Sequence, residues 1–173
     1  MGPKTETALA YALVPAVIAV GVWYVFQVGN SVGGLTEPNT VVLQPKDLQT
    51  VYNGQQLYMD HCASCHGDNL EGQPNWDISN ANGTMPAPPH DGSGHTWHHS
   101  SAVLFKAVKM GLVQAAGLKD VQPSAMPSFG GILADQEIIA VLSFIKSKWP
   151  EEIQRKHDEL DQSATMSAHL HKH

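Results

Sequence analysis

The sequence predicts an all-α fold of three or more helices. Two observations carry that reading. Apolar residues recur at helical spacing in three stretches, residues 47–61, 101–110 and 135–149. The stretches between them are long, rich in glycine, proline and asparagine, and without period. A third feature stands apart from the folded part. Residues 8–28, ALAYALVPAVIAVGVWYVFQV, carry no charge at all.

Taken in order, that run comes first. It is long enough to cross a bilayer as a helix. Lys4 precedes it and no further charge follows until Glu37. Trp23 and Tyr24 sit toward its far end, where amphipathic rings suit the interface. The run exceeds the apolar core of a usual signal peptide, and no A-x-A-like cleavage site follows, so residues 1–28 read as an uncleaved anchor. Residues 29–46, punctuated by Gly29, Gly33, Gly34, Pro38 and Pro45, read as a flexible tether. A first helix is expected over residues 47–61, with Leu48, Val51, Tyr52 and Tyr58 on its apolar face. Gly54 inside it costs about 1 kcal/mol relative to alanine, which suggests that another helix crosses closely there.

Directly after this helix stands Cys62-Ala63-Ser64-Cys65-His66. C-x-x-C-H is the attachment pattern for a c-type haem. Two thiols add across the two vinyl groups of one porphyrin edge, and the next residue, His66, supplies a proximal nitrogen to the iron. Other uses of two cysteines fit less well. A thioredoxin-like redox pair would follow a strand, and no strand pattern precedes Cys62. A plain disulfide leaves His66 without a role. A zinc site needs two more ligands, and His90 and His95 lie far beyond zinc-finger spacing.

Residues 67–100 read as a loop, and a loop of that length in a compact domain is usually wrapped around something. Ser100 and Ser101 are N-cap candidates for a second helix, with Val103, Leu104, Ala107 and Val108 facing inward and Gly111 as its stop. Another loop runs to Leu133. Asp135 and Glu137 suit the positive end of a final helix, buried through Ile138, Ile139, Val141, Leu142 and Ile145. Pro150 can open a further, more polar helix. The tail after Asp161 is expected to be mobile. Met59 and Met110, inside helices, are expected to fill the core.

Residues 47–150 resemble the haem domain of class I cytochromes c, especially the bacterial, monohaem, membrane-anchored kind. The resemblance rests on Gly54 and Tyr58 before CASCHG, a haem-wrapping loop, Met126-Pro127-Ser128-Phe129, and the LADQEIIAVLSFIKSKWP helix. It implies one covalent haem c and Met126 as second axial ligand, a soft thioether that favours ferrous iron. Met85 also precedes a proline, but lacks the following phenylalanine. The resemblance further implies a first and last helix crossing near Gly54 and Phe144, and a loop carbonyl, from Pro88 or Pro89, that accepts a hydrogen bond from His66. The sequence departs from the family at His90, where an apolar residue is common, and at Ala134, where a serine or threonine cap is usual. His90, His95, His98 and His99 read as polar loop residues near the haem propionates, hydrogen-bonded with Trp97. A second metal site, or one histidine replacing Met126 on the iron, are the alternatives.

Of 173 residues only two are cysteine, so no structural disulfide or iron–sulfur cluster remains possible beside the motif. A formal charge of −6 argues against nucleic acid. The domains expected are an anchor (1–28), a tether (29–46), a haem domain (47–150) and a polar extension (151–173). The resemblance implies a membrane-tethered electron carrier, not an enzyme, on the periplasmic side of a bacterial inner membrane. Its partners would be donor and acceptor redox proteins, such as a quinol-oxidising complex and a terminal oxidase. A permanent haem subunit of a larger complex, and a haem enzyme or sensor with an open sixth site, are the competing readings.

Overall fold

The computed structural model describes residues 41–112 and 125–170. The expected membrane helix over residues 8–28 lies outside the described residues, and no helix among the described residues is long and apolar enough to cross a membrane. Among the described residues the regular elements are all helical: α1 (Leu48–His61), α2 (Ala63–His66), a 3-10 turn (Thr96–His98), α3 (Ser101–Met110), α4 (Asp135–Ser147) and α5 (Glu151–Leu170).

Asp47 opens α1 as its N-cap, its Oδ1 accepting the Thr50 N–H at 2.8 Å. The inward face of α1 is narrower than the sequence predicts. Val51 packs against the core and Gly54 and Tyr58 are buried, whereas Leu48 and Tyr52 are 85% and 59% exposed. The face has this width because α1 rests chiefly on a single partner, α4. Gly54 makes the crossing possible. A Cβ there would stand 1.9 Å from the Ala140 oxygen and 3.0 Å from the Val141 nitrogen. So the glycine meets the α4 backbone at Ala140 and Val141, and the Phe144 ring packs instead on Tyr58, with centroids 5.4 Å apart.

Helix α4 is the core element, with Ile138, Val141, Leu142, Phe144 and Ile145 all buried. Its first turn has no serine or threonine cap. Glu137 substitutes, its carboxylate accepting the Ala134 N–H at 2.8 Å. Ser143, fully buried, accepts the Gln44 N–H at 2.9 Å and donates to the Ile139 carbonyl at 2.7 Å, so the segment before α1 is fastened to α4.

Helix α3 stops at Gly111, whose φ of 82° suits glycine. Its start differs from expectation: Ser100 makes no side-chain cap bond. The cap comes from α5, where Asp161 accepts the Ser101 N–H at 2.7 Å and the Ser101 hydroxyl at 2.6 Å. α5 itself continues through Leu170, well past Asp161. No glycine or proline interrupts it after Pro150, and Arg155–Glu159 and Glu152–Lys156 pair at i, i+4 along its surface. Met59 and Met110 are exposed rather than core-filling.

Candidate functional site

Cys62 closes α1 and opens α2: its N–H bonds to the Tyr58 carbonyl at 2.8 Å, and its own carbonyl accepts the His66 N–H at 2.9 Å. Cys62, Cys65 and His66 therefore stand on one helical turn. Both thiols are free, Cys62 half-buried and Cys65 exposed. Burial, then the neighbouring Cys65, push the Cys62 thiol up to about 11. A redox-active pair would need the opposite shift, toward thiolate.

His66 is buried, and its Nδ1 lies 2.9 Å from the Pro88 carbonyl oxygen. A carbonyl can only accept, so Nδ1 carries the proton and the Nε2 lone pair is left for a metal. Burial lowers the His66 pKa and the Pro88 bond partly offsets this, keeping the ring neutral at neutral pH. Of the two prolines, the structure thus selects Pro88.

Two glycines allow Pro88 to come this close. A Cβ on Gly72 would stand 2.5 Å from the Pro89 nitrogen, and one on Gly94 would stand 2.1 Å from the Pro89 oxygen. The loop is then fastened by Gln73 N–H to the Ala87 carbonyl and His90 N–H to the Leu70 carbonyl, both at 2.8 Å. Tyr58 donates to the Gly67 carbonyl at 2.8 Å, tying the loop's start back to α1.

Met126 is half-buried against the same core cluster that Cys62 packs on. The segment that bears it is pinned to the end of α3, with the Phe129 N–H on the Val108 carbonyl and the Gly130 N–H on the Lys109 carbonyl, both at 2.9 Å. Met85 is engaged elsewhere. Its Sδ accepts the Ser79 hydroxyl at 3.2 Å within the long loop.

The four loop histidines do not share one arrangement. His98 stacks on Trp97 at 3.7 Å, and His95 stacks on Trp76 at 5.4 Å with His99 edge-on to it at 5.8 Å. The expected hydrogen bond with Trp97 does not form: Trp97 Nε1 is buried without a partner among the described residues. No group of three metal-ligating side chains forms among the described residues. His90 is separate, stacked on His66 with centroids 3.9 Å apart.

A second polar cluster was not foreseen. Lys146, buried in α4, bonds to His157 Nδ1 at 3.0 Å and to Asp158 at 2.5 Å, while Trp149 Nε1 donates to the His90 carbonyl at 2.8 Å. His157 and Asp158 reach Lys146 only when α5 folds back, and no local pattern marks them.

Residues 51–149 match the family model for Cytochrome c, which thus spans more than half of the chain. No curated protein and no solved structure matches the chain significantly.

Proposed function

The chain belongs to the cytochrome c family, and from that membership we propose that it is a monohaem, class I electron carrier held at a bacterial inner membrane by residues 8–28, its haem domain facing the periplasm. Haem c is the cofactor of this family. The residues present fit it. Two free thiols and an imidazole with one nitrogen already committed stand on a single turn. Trp97, Leu104, Phe105, Val108 and Met126 are apolar side chains left half-buried around one core, which suits a flat apolar ring. Trp97 Nε1, buried and without a partner among the described residues, is a donor in need of an acceptor such as a carboxylate.

Bound haem supplies a one-electron iron couple. The chain's own residues then have distinct work. Cys62 and Cys65 would hold a porphyrin edge through thioethers. His66 would hold the iron through Nε2, with Pro88 fixing its tautomer. Met126 would hold the iron through its thioether, and the pinned Phe129 holds that segment in place. An iron held by both His66 and Met126 would have no open position for a substrate, which favours a carrier over an enzyme. Its partners are donor and acceptor redox proteins, meeting it through the weak, small interfaces that suit transfer. The uncharged run of residues 8–28 supports the anchor, and membrane association in cell fractionation tests it.

The observation that carries this reading is the Nδ1–H bond from His66 to Pro88 beside two free thiols. Acid-acetone extraction followed by intact-mass measurement tests it. Haem should remain on the wild type, and Cys62→Ser or Cys65→Ser should lose most stable holoprotein. A wild-type mass equal to the bare polypeptide would sink the proposal.

A further inference from the structure

His90 takes no part in the ligand set, yet it is held more tightly than any other loop histidine. Its ring lies on the His66 ring at 3.9 Å with only 19° between planes. Its Nδ1 is 2.8 Å from Thr96 Oγ1, and Thr96, itself buried, leans its hydroxyl toward the Pro89 carbonyl at 3.4 Å. Its N–H bonds to Leu70 at 2.8 Å, and its carbonyl accepts the Trp149 indole N–H at 2.8 Å. Backbone donor, backbone acceptor and side-chain nitrogen are all engaged, so the ring has little freedom to turn.

We propose that His90 is a positioning residue for His66: a fixed imidazole stacked on the ligand ring that holds its plane against rotation. The proposal rests on His66 being the proximal ligand. One hydrogen bond, Nδ1–H to the Pro88 carbonyl, fixes the tautomer of His66 but allows its ring to rock about that bond. A second flat surface at van der Waals distance removes the rocking motion. Outer partners of this kind orient ligating histidines and tune their metals. An aliphatic side chain at position 90 would fill the volume without presenting a flat face.

The orientation of an axial imidazole sets how its π orbital overlaps the iron d orbitals. Electron paramagnetic resonance of the oxidised holoprotein reads that overlap directly, and the midpoint potential reads its effect. His90→Leu should shift and broaden the largest g value and move the potential, while His90→Phe, which restores a flat ring, should return both toward wild type. Thr96→Val removes the partner of His90 Nδ1 and leaves the ring in place. It should give a smaller shift in the same direction, and it keeps the test alive if His90→Leu does not fold. Identical spectra for wild type, His90→Leu and Thr96→Val would overturn the proposal. So would loss of a bis-imidazole spectrum in His90→Leu, since His90 would then be a ligand itself. The parent reading is checked separately by near-infrared magnetic circular dichroism on His66→Ala. If that variant keeps haem and the wild-type axial signature, His66 is not the ligand and both readings fall.

Discussion

The crossing of α1 and α4 depends on the absence of one side chain. A Cβ on Gly54 would overlap the Ala140 carbonyl, which belongs to helix backbone and cannot swing aside. Alanine ordinarily improves a helix interior by about 1 kcal/mol over glycine. Here that gain is outweighed, and Gly54→Ala should destabilise the holoprotein by about 1–3 kcal/mol, as overpacking does. Denaturant unfolding measures it, and a gain in stability would show that the helices can separate without loss. His157 poses the opposite problem, a polar ring with 0% exposure. Lys146 donates to its Nδ1, so the ring proton sits on Nε2, which makes no hydrogen bond of acceptable geometry although the His99 backbone is near enough to favour a proton there. Burial first, and Lys146 second, lower the His157 pKa, against weaker opposing pulls from Asp161, His99 and Asp158. The unfolded chain protonates this ring near pH ~6.5. Neutral His157 therefore contributes its full stability above about pH 6.5, and that contribution is lost as pH falls below it, because the unfolded state takes up a proton that the folded state resists. Urea midpoints measured from about pH 8 to about pH 5 should fall on acidification, and less steeply in His157→Gln. Equal slopes in the two proteins would mean that His157 does not titrate differently on folding.

At the scale of elements, α5 acts as a brace. Through Asp161 it satisfies the first donors of α3, a helix whose own Ser100 makes no side-chain cap bond. Asp161→Ala leaves the Ser101 N–H and hydroxyl without their acceptor at a site where Ser101 is buried. The cost should be about 1–3 kcal/mol, with faster amide exchange confined to the first turn of α3 and to α5. Global loosening would instead mean that Asp161 holds more than this joint. The contrast with the sequence reading lies here. α1, α3 and α4 were legible because periodicity and helix-end residues such as Asp47, Gly111 and Asp135 are local signals. The Asp161–Ser101 and Lys146–His157 contacts were not, since each polar residue taken alone looks like any solvated side chain. Pro88 was narrowed to two candidates by its position, but only Gly72 and Gly94, fitted closely around the Pro88–Pro89 segment, show which carbonyl reaches His66. Leu48 and Tyr52 misled for a related reason: helical spacing gives the direction of a face but not the width of the partner that covers it.

At the scale of the whole molecule, the crossed helices set the two ends of the proposed haem site. α1 ends directly before the turn that bears Cys62, Cys65 and His66, while the segment carrying Met126 leads by way of Phe129 and Leu133 into α4. A contact made once, at Gly54, therefore relates the two arms. Met126 is supported as the distal arm by its packing against the core shared with Cys62 and by the bonds that pin Phe129 and Gly130 to the end of α3. Met85, the rival in sequence, has its sulfur on the Ser79 hydroxyl instead. The oxidised wild type should accordingly show the weak red charge-transfer band of thioether-bound ferric haem. Met126→Ala should abolish that band, admit carbon monoxide to the ferrous protein and lower the midpoint potential, because a soft thioether favours ferrous iron. Met85→Ala should leave band and potential nearly unchanged, its loss being confined to a hydrogen bond within the loop. If the band instead disappears only in Met85→Ala, the long loop and not the MPSF segment supplies the sixth ligand, and the arm fixed through α3 and α4 has a packing role alone.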